Sequence, residues 1–187
     1  MMTRNEGSKD GENRVLDLEK QYAFYKAYHG NPVNILLHRL FVWPVVFTFL
    51  LLLYFTPCVS QFQSPGSLSL PVRLLTSHGL FLNLGFLPVL LFVVIYLCLD
   101  KKASSLAAVV CLACWVGSSF LARMLGFSWA WKVVLVSQLV CWTGEALGHA
   151  PFEKRAPSDN IVQASLTTPF LVLLEVLQTV FRYEPSE

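Results

Sequence analysis

Three histidines and two carboxylates stand where long apolar stretches of this 187-residue chain meet polar sequence. His29 and His38 flank the start of one apolar run, while His149 closes another, between Glu145 and Glu153. Ionisable side chains at the end of a hydrophobic helix are expensive to place beside lipid, so their presence indicates a functional site. Neutral imidazoles with a nearby carboxylate suit a divalent transition metal that keeps open positions for substrate or oxygen.

The two carboxylates admit more than one interpretation. Glu145 lies four residues before His149 and therefore shares a helical face with it. Either glutamate could bind the metal, or could orient a histidine through a hydrogen bond. Glu153 could instead pair with the neighbouring cations Lys154 and Arg155 on a solvated rim. A single histidine near a membrane interface is more often a hydrogen-bonding residue than a ligand, so a metal site requires that several converge.

Other kinds of chemistry fit the sequence less well. Cys111 and Cys114 form a CxxC inside an apolar run without a partner pair, which is typical of core packing rather than zinc binding. The five cysteines are an odd number, so we expect free thiols rather than a disulfide framework. The chain has no GxSxG element for a serine nucleophile. No apolar run carries a charge pair at its middle, which argues against a transporter.

The composition is that of a membrane protein. Hydrophobic residues make up 55% of the chain and charged residues 14%, well to the apolar side of ordinary globular usage. A net charge of +2 without a basic stripe indicates no nucleic-acid partner. Residues 1–14 are polar and lack aromatic side chains, so we expect a disordered cytosolic tail there. Residues 15–187 should form one membrane-embedded domain.

Hydrophobic periodicity predicts an all-α fold, a polytopic membrane bundle. Residues 15–29 carry apolar and aromatic side chains at helical spacing and should form an amphipathic interfacial helix. Gly30, Asn31 and Pro32 then end this helix and begin the next, as a C-cap, an N-cap and a first-turn proline. Apolar runs of bilayer length predict four transmembrane helices, at about 36–56, 79–99, 104–125 and 129–148.

The last apolar segment, residues 160–182, places its polar side chains on one helical face. This pattern predicts a second amphipathic helix, lying at the interface or packed on the end of the bundle. A fifth span is the alternative, against which Pro169 and Glu175 weigh.

The distribution of lysine and arginine predicts the orientation. The N-terminal flank, the turn at residues 100–102 and the C-terminal part are richer in cations than the other connections. The positive-inside rule places these segments, and both termini, in the cytosol. His29, His38 and His149 then lie on the cytosolic side of the membrane, whereas His78 lies on the opposite face, roughly 30 Å away.

The three histidines belong to a longer pattern that resembles a known family. The chain contains YKAYH ending at His29, NILLH ending at His38, and later GHAPFEKRAP beginning at Gly148. This combination is similar to the signature of small endoplasmic-reticulum membrane proteins that act as 2-hydroxy fatty acid dioxygenases. The segment Pro169–Glu175, PFLVLLE, extends the resemblance, which covers nearly the whole chain after residue 15.

The resemblance implies Fe(II)-dependent α-oxidation in the endoplasmic reticulum membrane. Molecular oxygen is used to shorten a 2-hydroxy fatty acid, for example one from phytosphingosine breakdown, by one carbon. The family's histidine positions map onto His29, His38 and His149. A 2-hydroxy acid offers such a metal a carboxylate and an adjacent hydroxyl, while its acyl tail lies among the spans.

The remaining candidate residues surround the histidines in the sequence. We expect Glu145 and Glu153 to act in catalysis. The candidates for substrate binding are Tyr25, Asn34, Lys154 and Arg155. The alternative function is a non-catalytic membrane scaffold or lipid-binding protein that retains the fold.

Overall fold

A computed structural model of the chain describes residues 17–56, 83–153 and 161–184. These residues form six α-helices: α1 Leu18–Tyr28, α2 Pro32–Leu53, α3 Phe86–Leu99, α4 Lys101–Leu125, α5 Phe127–Phe152 and α6 Ile161–Phe181. No strand occurs in these parts of the chain, so the all-α prediction is confirmed. The predicted disordered tail and His78 lie outside the described residues.

Three of the described helices are long and apolar enough to cross a membrane, as expected for a membrane protein. They are α2, α4 and the Ala164–Phe181 part of α6. Within the described range α3 has 14 residues, fewer than the roughly 20 that span a bilayer. The 26-residue helix α5 is long enough, but Lys132, Gln138 and Glu145 lower its hydropathy. The count of four spans therefore stays a prediction.

A sharp break between α1 and α2 folds the amphipathic helix back over the start of α2. The Asp17 side chain caps α1 by accepting from the Lys20 amide at 3.1 Å. His29 is the C-cap residue of α1, and the Asn31 side chain accepts from the Val33 amide at 2.9 Å to cap α2. Asn31 and Pro32 thus begin the second helix as predicted, because a cap and a first-turn proline satisfy or remove orphan amides.

The two helices α2 and α5 pack against each other in antiparallel directions. Gly144 and Gly148 on α5 make this close approach possible. A Cβ atom at Gly144 would overlap the ring of Phe41, and one at Gly148 would overlap the Oδ1 atom of Asn34. Small residues with this spacing allow helix backbones to approach closely in lipid. The start of α2 consequently lies beside the end of α5.

The last helix, α6, packs on α1, α2, α3 and α4. Its final turn lies at the end of the bundle that holds the start of α2, because Arg39 donates to the Thr179 hydroxyl at 3.1 Å. Glu153 at the end of α5 and Ile161 at the start of α6 are eight residues apart in the sequence, so their Cα atoms lie within about 28 Å of each other. That distance is barely the thickness of a bilayer core of roughly 30 Å, which favours an oblique or interfacial α6 over a fifth span.

Candidate metal centre

The three histidines that flank the apolar runs meet in one place. His29 caps the end of α1, His38 lies in the second turn of α2, and His149 lies in the last turn of α5. All three side chains are buried, and one ring nitrogen from each lies within 4.8 Å of the others. The distances between ring centroids are 4.3 to 5.0 Å. Three imidazoles at this spacing can direct their lone pairs toward a single ion.

Backbone carbonyls select the tautomers of two of these rings. His29 Nδ1 lies 2.7 Å from the carbonyl oxygen of Tyr25, and His38 Nδ1 lies 3.1 Å from that of Asn34. A carbonyl oxygen only accepts, so each Nδ1 carries the proton and donates. The lone pair of each ring is therefore on Nε2, and the Nδ1–H bond fixes the ring's orientation as in known metal sites.

The site leaves two buried ring nitrogens without a partner among the described residues, His29 Nε2 and His149 Nδ1. A buried acceptor without a hydrogen bond is costly, and a metal ion would satisfy it. Burial, reinforced by the neighbouring His38, lowers the pKa of His29 to about 3, so its ring stays neutral near pH 7. Neutral imidazole is the form that binds metals, and the donor set fits a divalent transition metal.

The ring of Tyr25 supports His29 from the side. The two rings stack with centroids 4.0 Å apart and an interplanar angle of 14°. The Tyr25 hydroxyl donates to Glu175 Oε2 on α6 at 3.2 Å. Burial and the Glu175 carboxylate raise the pKa of Tyr25 well above its usual range, so the phenol keeps its proton. The position of the His29 ring is thus tied to α6.

Glu175 itself is only 3% exposed and is held by two cations. Lys26 on α1 forms an ion pair with it, and Arg39 Nε on α2 lies 3.6 Å from its carboxylate. A buried carboxylate requires such partners, because an unpaired charge in a low-dielectric interior is strongly unfavourable. In the sequence analysis, Glu175 was an argument against a span and part of the family resemblance but was not included among the site residues, although a glutamate inside an apolar helix is itself a signal.

Asn34 and Glu153 join the start of α2 to the end of α5. Glu153 accepts from the Asn31 amide at 2.6 Å and from the Asn34 side chain at 3.3 Å. Asn34 also donates to the Tyr28 carbonyl at 3.0 Å and is fully buried. Burial acts to raise the pKa of Glu153, but the hydrogen bonds from Asn31 and Asn34 outweigh it and lower the pKa. Both side chains are therefore engaged in helix packing and capping.

A cavity of about 1090 Å³ extends from the three histidines into the bundle. It is larger than most small-molecule sites, which measure roughly 300–1,000 Å³. Along α2 its wall runs from His38 to Phe49, about 16 Å at the helical rise. Apolar side chains form most of this wall, from Val42, Val45 and Val46 on α2 to Leu166 and Leu171 on α6, with Pro88, Leu91 and Phe92 on α3.

Glu145 also lines the cavity, one helical turn before His149. Its carboxyl is half-buried and shows no hydrogen bond or ion pair within the described parts of the chain. Tyr25 lines the cavity as well, whereas Lys154 and Arg155 lie outside the described residues. The structure thus brings Glu145 and Tyr25 to the cavity with the histidines.

Comparison with known proteins gives one consistent result. The family described as Mpo1-like, 2-hydroxy-palmitic acid dioxygenase, matches residues 15–180. A protein of Saccharomyces cerevisiae named 2-hydroxy-palmitic acid dioxygenase MPO1 is 29% identical over 165 residues, which cover 87% of this chain and 81% of the relative. No solved structure matches the chain.

Measurements of metal affinity can test whether Glu175 holds the His29 ring in place through Tyr25. Glu175→Ala removes the acceptor of the Tyr25 hydroxyl and leaves two cations unpaired, so we expect metal affinity to fall roughly 10- to 100-fold. Glu175→Gln keeps a hydrogen-bond acceptor and should recover part of the loss. Competition with a chelator for bound Co(II) measures the affinity.

Gln178→Ala is the matched control, since Gln178 lies on the same helix and accepts from the Tyr22 hydroxyl at 2.6 Å without contacting Tyr25. It should bind metal as the unmodified chain does. If Glu175→Ala retained that affinity as well, the stacked Tyr25 would not be what holds His29.

Proposed function

Because this chain belongs to the Mpo1-like family, we propose that it is an Fe(II)-dependent dioxygenase that shortens 2-hydroxy fatty acids by one carbon. The observation that carries the proposal is the buried cluster of His29, His38 and His149 at the end of an acyl-sized apolar cavity. Three imidazoles leave coordination positions open for substrate and oxygen. The substrates are a 2-hydroxy fatty acid and molecular oxygen.

His29, His38 and His149 are the residues that would hold Fe(II). When bound, Fe(II) supplies the redox chemistry with oxygen that protein side chains lack. The chain contributes a dry and rigid surrounding. Two ring orientations are fixed by backbone carbonyls, and Tyr25 covers the face of His29, which together limit the access of water. A site preorganised in this way loses little free energy to rearrangement during the reaction.

The cavity is long and apolar enough to hold the acyl tail of the proposed substrate. An apolar wall about 16 Å long matches roughly half of a bilayer core of about 30 Å, which is the depth of one acyl layer. Burying a long chain there is favourable by about 0.8 kcal/mol per CH₂ group. The head group is thereby directed toward the histidines, where the cavity becomes polar.

Polar groups near the histidines have separate roles in this proposal. Lys154 and Arg155 directly follow Glu153 in the sequence and are the candidates for pairing with the substrate carboxylate. Glu145, on the cavity wall without a partner of its own in the described chain, is positioned to hold or transfer a proton of the 2-hydroxyl group. Glu153 acts on the histidines indirectly, through the packing of α2 on α5.

We also propose that the protein resides in the endoplasmic reticulum membrane with both termini in the cytosol. The cations of the N-terminal flank and of Lys101 and Lys102 support this orientation. The metal centre then faces the cytosolic leaflet. Substrate and shortened product would both remain membrane-associated.

Replacement of each histidine tests the proposal directly. His29→Ala, His38→Ala and His149→Ala should each lose bound iron and oxygen-dependent turnover of 2-hydroxypalmitate together, because two remaining ligands hold neither the ion nor its geometry. Iron is measured by mass spectrometry of the purified protein, and turnover by the appearance of the acid one carbon shorter.

His78→Ala is the control for these variants. The proposed orientation predicts that His78 lies on the opposite face of the membrane, so iron content and turnover should stay near those of the unmodified chain. Full iron and full turnover in all three site variants would contradict the catalytic proposal and favour a scaffold.

Substitution of Glu145 separates its two possible roles. In Glu145→Gln the amide still forms hydrogen bonds but transfers no proton at neutral pH, so we expect iron to stay bound while kcat falls about 10²- to 10⁴-fold. Iron lost to the same extent as in His149→Ala would instead make Glu145 a ligand. Unchanged kcat would remove it from the mechanism.

A further inference from the structure

The cavity that reaches the histidines is not closed on all sides. Its lining includes several side chains that are exposed at the surface of the bundle. Trp142 on α5 is 53% exposed, and Ala146 and Ala150 on the same helix are exposed as well. Ser165 on α6, Leu91 on α3 and Phe49 on α2 are further exposed residues of this lining. The cavity therefore has a mouth in the side of the bundle, which we call the lateral mouth.

The lateral mouth lies between α5 and α6, which make few direct contacts with each other although both pack on α2 and α4. Helix α5 packs on α2 and α4, and α6 packs on α1, α2, α3 and α4. The cavity occupies the space between them, with α2 behind it. Since α2 is long and apolar enough to cross a membrane, a mouth along its middle opens toward lipid rather than toward water.

The rim of the lateral mouth is mostly apolar, and hydrogen bonds fix part of it. The indole of Trp142 donates to Gln138 Oε1 at 2.7 Å. Gln138 donates in turn to the Val45 carbonyl at 3.0 Å and to the Thr48 hydroxyl at 2.9 Å. The polar groups of these three side chains are all hydrogen-bonded, so Trp142 and Gln138 present no unpaired donor to the interior of the membrane.

The opposite approach, from the end of the bundle, is covered. Helix α1 folds over that end, and the buried Tyr25 ring stacks on His29. Tyr25 is also fixed through Glu175 to α6. A substrate arriving end-on would have to separate α1 from α6, whereas one arriving sideways would meet exposed side chains of the cavity wall.

We propose that the acyl substrate enters from the bilayer through the lateral mouth between α5 and α6, passing Ala146 and Ser165, with its tail remaining along the lipid-facing wall. This inference rests on the proposed function for the identity of the substrate. It adds the route and makes Ala146 a residue that decides which chains enter. A small side chain there leaves room for the tail, and a large one closes the opening.

Photolabelling in vesicles tests the route independently of turnover. The probe is 2-hydroxypalmitic acid carrying a diazirine at the end of its chain, added to the iron-loaded protein in phosphatidylcholine vesicles. In the unmodified chain we expect labelling of α3 and α6 residues that line the cavity. Ala146→Trp should reduce this labelling by roughly tenfold or more, because the indole fills the mouth.

Ala113→Trp is the matched control, since Ala113 is exposed on α4 and does not line the cavity. It should label as the unmodified chain does, and both variants should keep their iron. Labelling of Ala146→Trp within twofold of the Ala113→Trp control would overturn the lateral route. Wild-type labelling that is blocked by Ala146→Trp but is accompanied by no turnover would support the route and contradict the proposed reaction. The absence of any wild-type labelling would overturn both.

Discussion

The contact between the first turn of α2 and the last turn of α5 is the constraint on which the site depends. The Asn34 amide fills the space that Gly148 leaves open, and Glu153 accepts from the Asn31 amide at the start of α2. This contact fixes the position of α2 along α5. His38, one turn after Asn34, therefore faces His149, which directly follows Gly148. A side chain at Gly148 would move α5 outward and separate His38 from His149.

The polar groups inside the bundle differ in whether they have hydrogen-bond partners. Glu175 has Lys26, Arg39 and Tyr25 as partners, and the partly buried Gln138 has three hydrogen bonds. In contrast, His29 Nε2 and His149 Nδ1 have none within the described chain, and neither does the Tyr96 hydroxyl, which lies outside the metal centre. Where neither lipid nor protein supplies a donor, an unsatisfied nitrogen is unfavourable, so bound metal would stabilise the folded state.

The convergence of the three histidines could be predicted from the sequence, but the contacts between distant helices that support them could not. The Gly30-Asn31-Pro32 break and the positive-inside rule both predicted that the histidines share one end of the bundle. No local spacing linked Tyr25 to Glu175, because they lie on helices separated by most of the chain. The placement of α6 was also ambiguous, since its hydropathy fits a span whereas its buried Glu175 fits packing against α1 and α2.

Helix α6 contributes both to the metal centre and to the cavity, so the proposed metal binding and substrate access would be linked through it. The helix supports His29 through Glu175 and Tyr25, and its first turns form one side of the cavity. Iron K-edge X-ray absorption of the iron-loaded protein in vesicles tests the central claim most directly. The proposed function predicts one iron per chain with three imidazole nitrogens at about 2.0–2.2 Å and no sulfur ligand. A shell with fewer than three imidazoles, or with cysteine sulfur, would contradict it.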